Sequence, residues 1–226
     1  MSSSNSSVVL VHGAWADGSS WSKIIAPLAA EGIAVAAVPL PLTSFEDDVA
    51  ALDRALGRAP GPVVLAGHAY AGAVIAATRS EKVRALVYVA ALAPDQGETV
   101  ADVFYRLTPD PRAPKLAPDE HGLIYLPDAA FAAAFAQNAT AEELAVLASV
   151  QRPISPACIT VPVPRPLWKD RPAWFLVAEQ DRMIVADNQR FMAERLHVSS
   201  VDHTPIVTAP SVVLDVLHEA IAAVRA

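Results

Sequence analysis

Three residues carry the chemical question in this chain: Asp181, His203 and Ala69. Asp181 lies in the turn AEQDRMI directly after an apolar run, and His203, in VDHTP, follows 22 residues later. That separation leaves room for one helix and one strand, so both loops can return to the same end of a parallel sheet. A carboxylate so placed accepts a hydrogen bond from one imidazole nitrogen and fixes the tautomer, leaving the other nitrogen to act as a base. The third residue sits in PVVLAGHAYAGAVI, at 62–75. This stretch reads as a buried strand over 62–66, a very tight turn over 67–72 and a helix running on towards Thr78. Small residues at Gly67, Ala71 and Gly72 let strand and helix pack close across a sharp corner. Such a corner usually raises a nucleophile above the carboxyl end of a sheet. Here it raises the methyl group of Ala69, which cannot attack a carbonyl.

The other chemically capable residues rank below these. Glu179 and Asp202 compete with Asp181 for the acid position, but Glu179 is still close to its strand and Asp202 is too near His203 in sequence to orient it. His12 and His68 are expected to pack beneath the loops, and His121, His197 and His218 to be exposed or capping. No histidine and carboxylate share metal-ligand spacing, so no metal is implied. HGAWADG lacks the glycine spacing of a dinucleotide fingerprint, and no cofactor is expected. Cys158, the single cysteine, falls outside any sharp corner and is read as inert. Trp15, Phe104, Tyr105, Tyr125, Trp168 and Met183 are candidates to line an apolar pocket, against plain packing for each.

The elements that must position these residues alternate. Short apolar runs at 8–11, 33–38, 83–92 and 173–178 read, like 62–66, as strands buried on both faces, with another near 198–201. Helices are expected over 20–31, kinked or restarted at Pro27, from Ser44 to a stop at Gly57, around 188–195, and from Pro210 to the end. Ser44 with Asp47 resembles a capping box. Strands alternating with helices argue for an α/β class with a mostly parallel sheet covered on both sides. The alternation breaks over 94–168, where short helices at 99–107, 128–137 and 140–151 precede the stiff strap VPVPRPLW. The chain therefore divides into a core, 1–93 and 169–226, and an inserted helical cap, 94–168.

Composition bounds the function. A chain of 226 residues with 53% hydrophobic residues packs a sizeable core. A net charge of -7 argues against nucleic acid or an anionic membrane surface as partner. Residues 1–7, MSSSNSS, are polar, expected to fray and unlike a secretory signal. The apolar region 24–42 is broken by three prolines and a glutamate and does not read as a membrane span. A cytoplasmic protein is expected, with a small apolar substrate or ligand as its partner and a homodimer left open.

VVLVHGAW, GHAYAG, AEQDRMI and VDHTP together resemble the α/β-hydrolase superfamily, in particular the small branch of plant methyl-salicylate esterases, hydroxynitrile lyases and related bacterial esterases. The resemblance spans nearly the whole chain. It implies the catalytic order nucleophile, acid, histidine at Ala69, Asp181 and His203, distinct from the chymotrypsin and subtilisin orders. It also implies an oxyanion hole from the backbone N–H groups of Ala14 and Tyr70. Hydroxynitrile lyases of the branch typically have threonine where Gly13 stands and lysine where Thr204 stands, which leaves this chain on the esterase side. The departure is Ala69, where the family has serine. Three readings follow: an esterase frame for a small apolar ester that has lost its serine; a His203–Asp181 enzyme, such as a lyase, isomerase or direct activator of water, with no covalent intermediate; or a ligand-binding protein without turnover.

Overall fold

The computed structural model describes residues 6–193, the backbone of 196–199, and 202–225. Its centre is a six-stranded sheet: β1 Ser7–Val11, β2 Ala34–Val38, β3 Val63–His68, β4 Val83–Val89, β5 Ala173–Ala178 and β6 Leu196–Ser199. The order across the sheet is β2-β1-β3-β4-β5-β6, and every neighbouring pair is parallel. The inner strands are near-continuous Val, Leu and Ala because each is covered from both sides. β2, read from its apolar composition as buried, is an edge strand with most of its residues only half-buried. Ser6 and Ser7 are not frayed. Both are buried, and Ser7 donates its N–H to Pro62 O at 2.9 Å as the first residue of β1.

Helices α1 Ser22–Ala30, α2 Phe45–Arg58 and α3 Ala71–Ala77 link the first four strands. From β1 the chain moves outward to β2, then crosses back to β3 and on to β4. Right-handed crossovers taken in opposite directions put α1 on one face and α2 and α3 on the other. The Ser44 hydroxyl caps α2 by accepting from Asp47 N at 3.1 Å. Gly57 does not stop the helix, which runs one residue further and ends before Pro60. The last helices are α7 Ala186–Met192, α8 Pro205–Thr208 and α9 Pro210–Arg225, the last packing on β3, β4 and β5 beside α1.

Between β4 and β5, residues 94–168 add no strand to the sheet. They form α4 Val100–Phe104, α5 Asp128–Ala130, α6 Ala141–Ser149 and short turns. The helix expected over 128–137 is interrupted: Phe131–Phe135 winds as a single wider π-type turn. This segment is stitched to the loops above β1 and β2. Trp15 donates its N–H to Arg152 O at 3.0 Å and its indole N–H to Ile124 O at 2.9 Å, and Ser155 N reaches Leu42 O at 3.0 Å. The reversal of strand order lies between β1 and β3. In open parallel sheets, that switch point is where the loops part and a ligand fits.

Candidate active site

The turn above β3 is tighter than the sequence suggested. β3 continues through Gly67 and His68, and two residues, Ala69 and Tyr70, make the whole corner before α3 begins. Ala69 takes φ 51°, a left-handed conformation that costs an alanine about 1–2 kcal/mol. Its carbonyl accepts from Gly72 N at 3.1 Å and Leu92 N at 3.0 Å, which pins the corner from both sides. Gly72 is required by close approach: a β-carbon there would lie 2.4 Å from Leu92 O. The Ala69 methyl is left at the floor of a cavity that it shares with His203.

His203 and Asp181 meet as the spacing suggested, with His203 Nδ1 2.8 Å from Asp181 Oδ2. Asp181 is held by more than the histidine. Its Oδ1 accepts from Met183 N at 2.7 Å and Ile184 N at 2.8 Å, and Oδ2 also accepts from Gln189 Nε2 at 2.7 Å. Four donors converge on one buried carboxylate, which fixes its orientation and directs Oδ2 at the Nδ1–H of His203. The Nε2 of His203 meets no partner among the described residues, and the ring borders the cavity. The loop carrying His203 is anchored on every side. His68 donates Nε2–H to His203 O at 2.7 Å, Thr204 Oγ1 donates to Phe135 O at 2.5 Å, and Asp202 accepts from Asn138 N, Thr204 N and Thr208 Oγ1. Asp202 is thus a loop anchor, and Glu179 pairs with Arg190 away from the imidazole.

The arrangement of strand, two-residue corner, acid loop and histidine loop fits one sequence family: the model of the alpha/beta hydrolase family matches residues 8–216. The chain belongs to the alpha/beta hydrolase family. Among solved structures, polyneuridine aldehyde esterase is similar over 95% of this chain and 98% of its own, with a TM-score of 0.81 and 19% identity. A methylesterase from Arabidopsis is similar over 95% and 98%, with a TM-score of 0.77 and 18% identity. A histidine-to-alanine variant of tomato methylketone synthase I, complexed with beta-ketoheptanoate, is similar over 98% and 99%, with a TM-score of 0.82 and 17% identity. At such identities the likeness is one of fold. No curated protein matches the sequence of the chain.

In this member of the family, the N–H groups of Ala14 and Tyr70 find no acceptor among the described residues, and both residues border the cavity with Ala69. The cavity wall is apolar. It takes Leu92 from the core, Phe104, Leu116, Ile124, Ile154 and Ile159 from the 94–168 segment, and Met183 and Ile184 from the acid loop. Of the expected lining residues, Trp15, Phe104, Tyr105 and Met183 are in it, with Tyr105 at the mouth, 56% exposed. Tyr125 and Trp168 are not. Ile124 pairs with Ile154 in an antiparallel bridge, and the alternation of an extended chain that turns Ile124 inward turns Tyr125 out to solvent. Trp168 lies on the strap, in the short Leu167–Lys169 turn that runs close to α3, partly buried against the core and outside the cavity lining. Phe135 and Gln189 were not among the expected residues. Phe135 sets its ring 5.2 Å from that of His203 and edge-on to Trp15.

His12 and His68 are structural in their contacts, Cys158 is buried, the side chains of His121 and His218 are exposed, and the side chain of His197 lies outside the described residues. His12 accepts from Leu40 N at 3.0 Å through Nε2, and burial holds its pKa below the usual range. Burial lowers His68 to about 3, so it stays neutral beside His203. Burial pushes the Cys158 thiol up to about 12. Among the described residues, no group of three ligand side chains suits a metal ion, and no helix is long and apolar enough to cross a membrane.

Two buried carboxylates lie outside the dyad: Asp202, the loop anchor, and Asp48. Asp48, on α2, accepts from Tyr70 Oη at 2.7 Å and Leu42 N at 2.8 Å, and no lysine or arginine among the described residues pairs with it. Burial raises its pKa above the usual carboxylate range. The folded state therefore holds this proton more tightly than the unfolded chain. Its contribution to stability is full below the ordinary carboxylate value and is lost as pH rises through the folded one. Asp48→Asn keeps an oxygen for Leu42 N and offers an amide to Tyr70 Oη. At pH 7 it is expected to gain about 1 kcal/mol and raise Tm by about 2–4 °C. Thermal melts of both chains at pH 7 and near pH 4 check this, since the gain should vanish in acid.

Proposed function

We propose that this chain is a serine-free member of its family that moves a proton to or from a small apolar carbonyl compound, without a covalent intermediate. The observation that carries the reading is the pairing of an ordered His203–Asp181 dyad with a methyl group, Ala69, where an attacking atom would stand. His203 Nε2 is the acid or base. The N–H groups of Ala14 and Tyr70 hold the oxygen on which negative charge develops, each such donor contributing about 3 kcal/mol to the transition state. Residues 94–168 act as a cap that keeps water from the cavity.

The first substrate class to test is a medium-chain β-keto acid, because a protein of the same fold is described in complex with beta-ketoheptanoate. The chemistry suits the site. The bond from the α-carbon to the carboxylate breaks, its electron pair enters the ketone to give an enolate, and carbon dioxide leaves. The enolate oxygen rests on the two N–H groups, and the His203 imidazolium, protonated from solvent, gives a proton to the α-carbon, so one proton is consumed overall. An apolar wall disfavours the carboxylate relative to neutral carbon dioxide. Methyl ketone formation from a series of β-keto acids, measured above the spontaneous rate, tests the reading. Rates equal to buffer across the series would sink it and leave the ligand-binding alternative.

A further inference from the structure

Gln189 lies behind the dyad and outside the cavity, yet it is fully buried and uses all of its amide. Its Oε1 accepts from Ala178 N at 3.0 Å, and its Nε2 donates to Asp181 Oδ2 at 2.7 Å and to Ile184 O at 2.6 Å. The amide cannot be turned over. Its oxygen is the acceptor for the last N–H of β5, and flipping it would set that oxygen against the carboxylate and the Ile184 carbonyl. The donor on Oδ2 is therefore permanent, and it falls on the same oxygen that binds His203 Nδ1.

We propose that Gln189 is a positioning residue that sets how strongly Asp181 holds a proton on His203. This rests on the acid–base reading given above. A donor that shares Oδ2 withdraws part of its charge, so the imidazolium opposite is stabilised less than by a bare carboxylate. Gln189 also ties the end of β5, the acid loop and α7 into one unit, so the acid cannot swing away from the histidine. The other titratable groups around His203 do not compensate for a change here. His68 stays neutral and donates to the His203 carbonyl. Asp202 directs its carboxylate to Asn138, Thr204 and Thr208. No lysine or arginine among the described residues bonds to either member of the dyad.

A packing role and an electrostatic role predict different results for Gln189→Met, which keeps the length and removes the donor. NMR titration of the histidine ring resonances, in the full chain without substrate, should place the His203 midpoint about one pH unit above the unsubstituted chain. A midpoint unchanged or lower overturns the proposal. A second measurement needs no variant: the side-chain amide protons of Gln189 should shift with pH through the same midpoint as the His203 ring. Amide resonances that ignore that titration also overturn it. Neither readout requires turnover, so a chain inactive on every β-keto acid would fail the functional reading while leaving the assignment of Gln189 to be judged on its own.

Discussion

His203→Ala is expected to lower the rate of β-keto acid decarboxylation by about 10²–10⁴-fold, the usual worth of one positioned acid–base group. The loss should fall on kcat, with KM changed only a few-fold. The apolar wall that holds the substrate tail is untouched, and the Ala14 and Tyr70 N–H groups still donate to the carbonyl oxygen. Asp181 keeps three of its four hydrogen bonds after the change, from Met183, Ile184 and Gln189. A buried carboxylate short of one partner costs about 1–3 kcal/mol, which lowers Tm by several degrees without unfolding the chain. Initial rates of ketone release, corrected for the spontaneous reaction, decide the matter. Activity within two-fold of the parent would mean that desolvation of the carboxylate and the two backbone donors do the chemistry alone, and that the imidazole is a bystander.

The parts of this site that are legible in sequence are those fixed by local sterics. A strand buried on both faces must be a run of Val, Leu and Ala, and a corner of two residues must be flanked by Gly67 and Gly72. β1, β3, β5 and the corner therefore announce themselves, and the loops after them fall at one end of the sheet by topology. What fails is whatever depends on partners remote in sequence. The Ala-rich β2 looks buried until its position at the sheet edge is known. Gly57 looks like a stop because propensity is local, yet the helix ends only where Pro60 intervenes. Tyr125 and Trp168 were chosen by residue type, but Tyr125 is turned out by the Ile124–Ile154 bridge, and Trp168 sits on a turn that runs close to α3 rather than around the cavity. Gln189 is the instructive miss. A polar residue on a helix eight positions after Asp181 normally faces water, and nothing in its neighbours marks it as the one that turns inward. The strand expected over 198–201 is seen as β6, Leu196–Ser199, and its last two positions lie outside the described residues.

Ala69→Ser is expected to turn the chain into an esterase. The corner already holds position 69 at φ 51°, so serine inherits a conformation the backbone has paid for, and Tm should stay within about 2 °C. The new hydroxyl extends into the cavity that His203 borders, and Gly13 keeps the near side open: a β-carbon at 13 would stand 3.0 Å from the Ala69 methyl. His203 Nε2, without a partner among the described residues, would take the serine proton, and the Ala14 and Tyr70 N–H groups would hold the tetrahedral oxyanion. Removing such a serine elsewhere costs about 10⁶ in kcat, so restoring it in an unadapted pocket should give roughly 10³-fold or more over the parent on p-nitrophenyl esters. A burst of one nitrophenolate per chain, abolished by a second change at His203, is the decisive signature of an acyl-enzyme. Decarboxylation should fall in the same variant, because the hydroxyl hydrates the space where the substrate carboxylate must lose its solvent. Absence of a burst in a folded variant would mean that the imidazole does not reach position 69. The frame would then be hydrolase-like in fold but not in the alignment of its reacting groups.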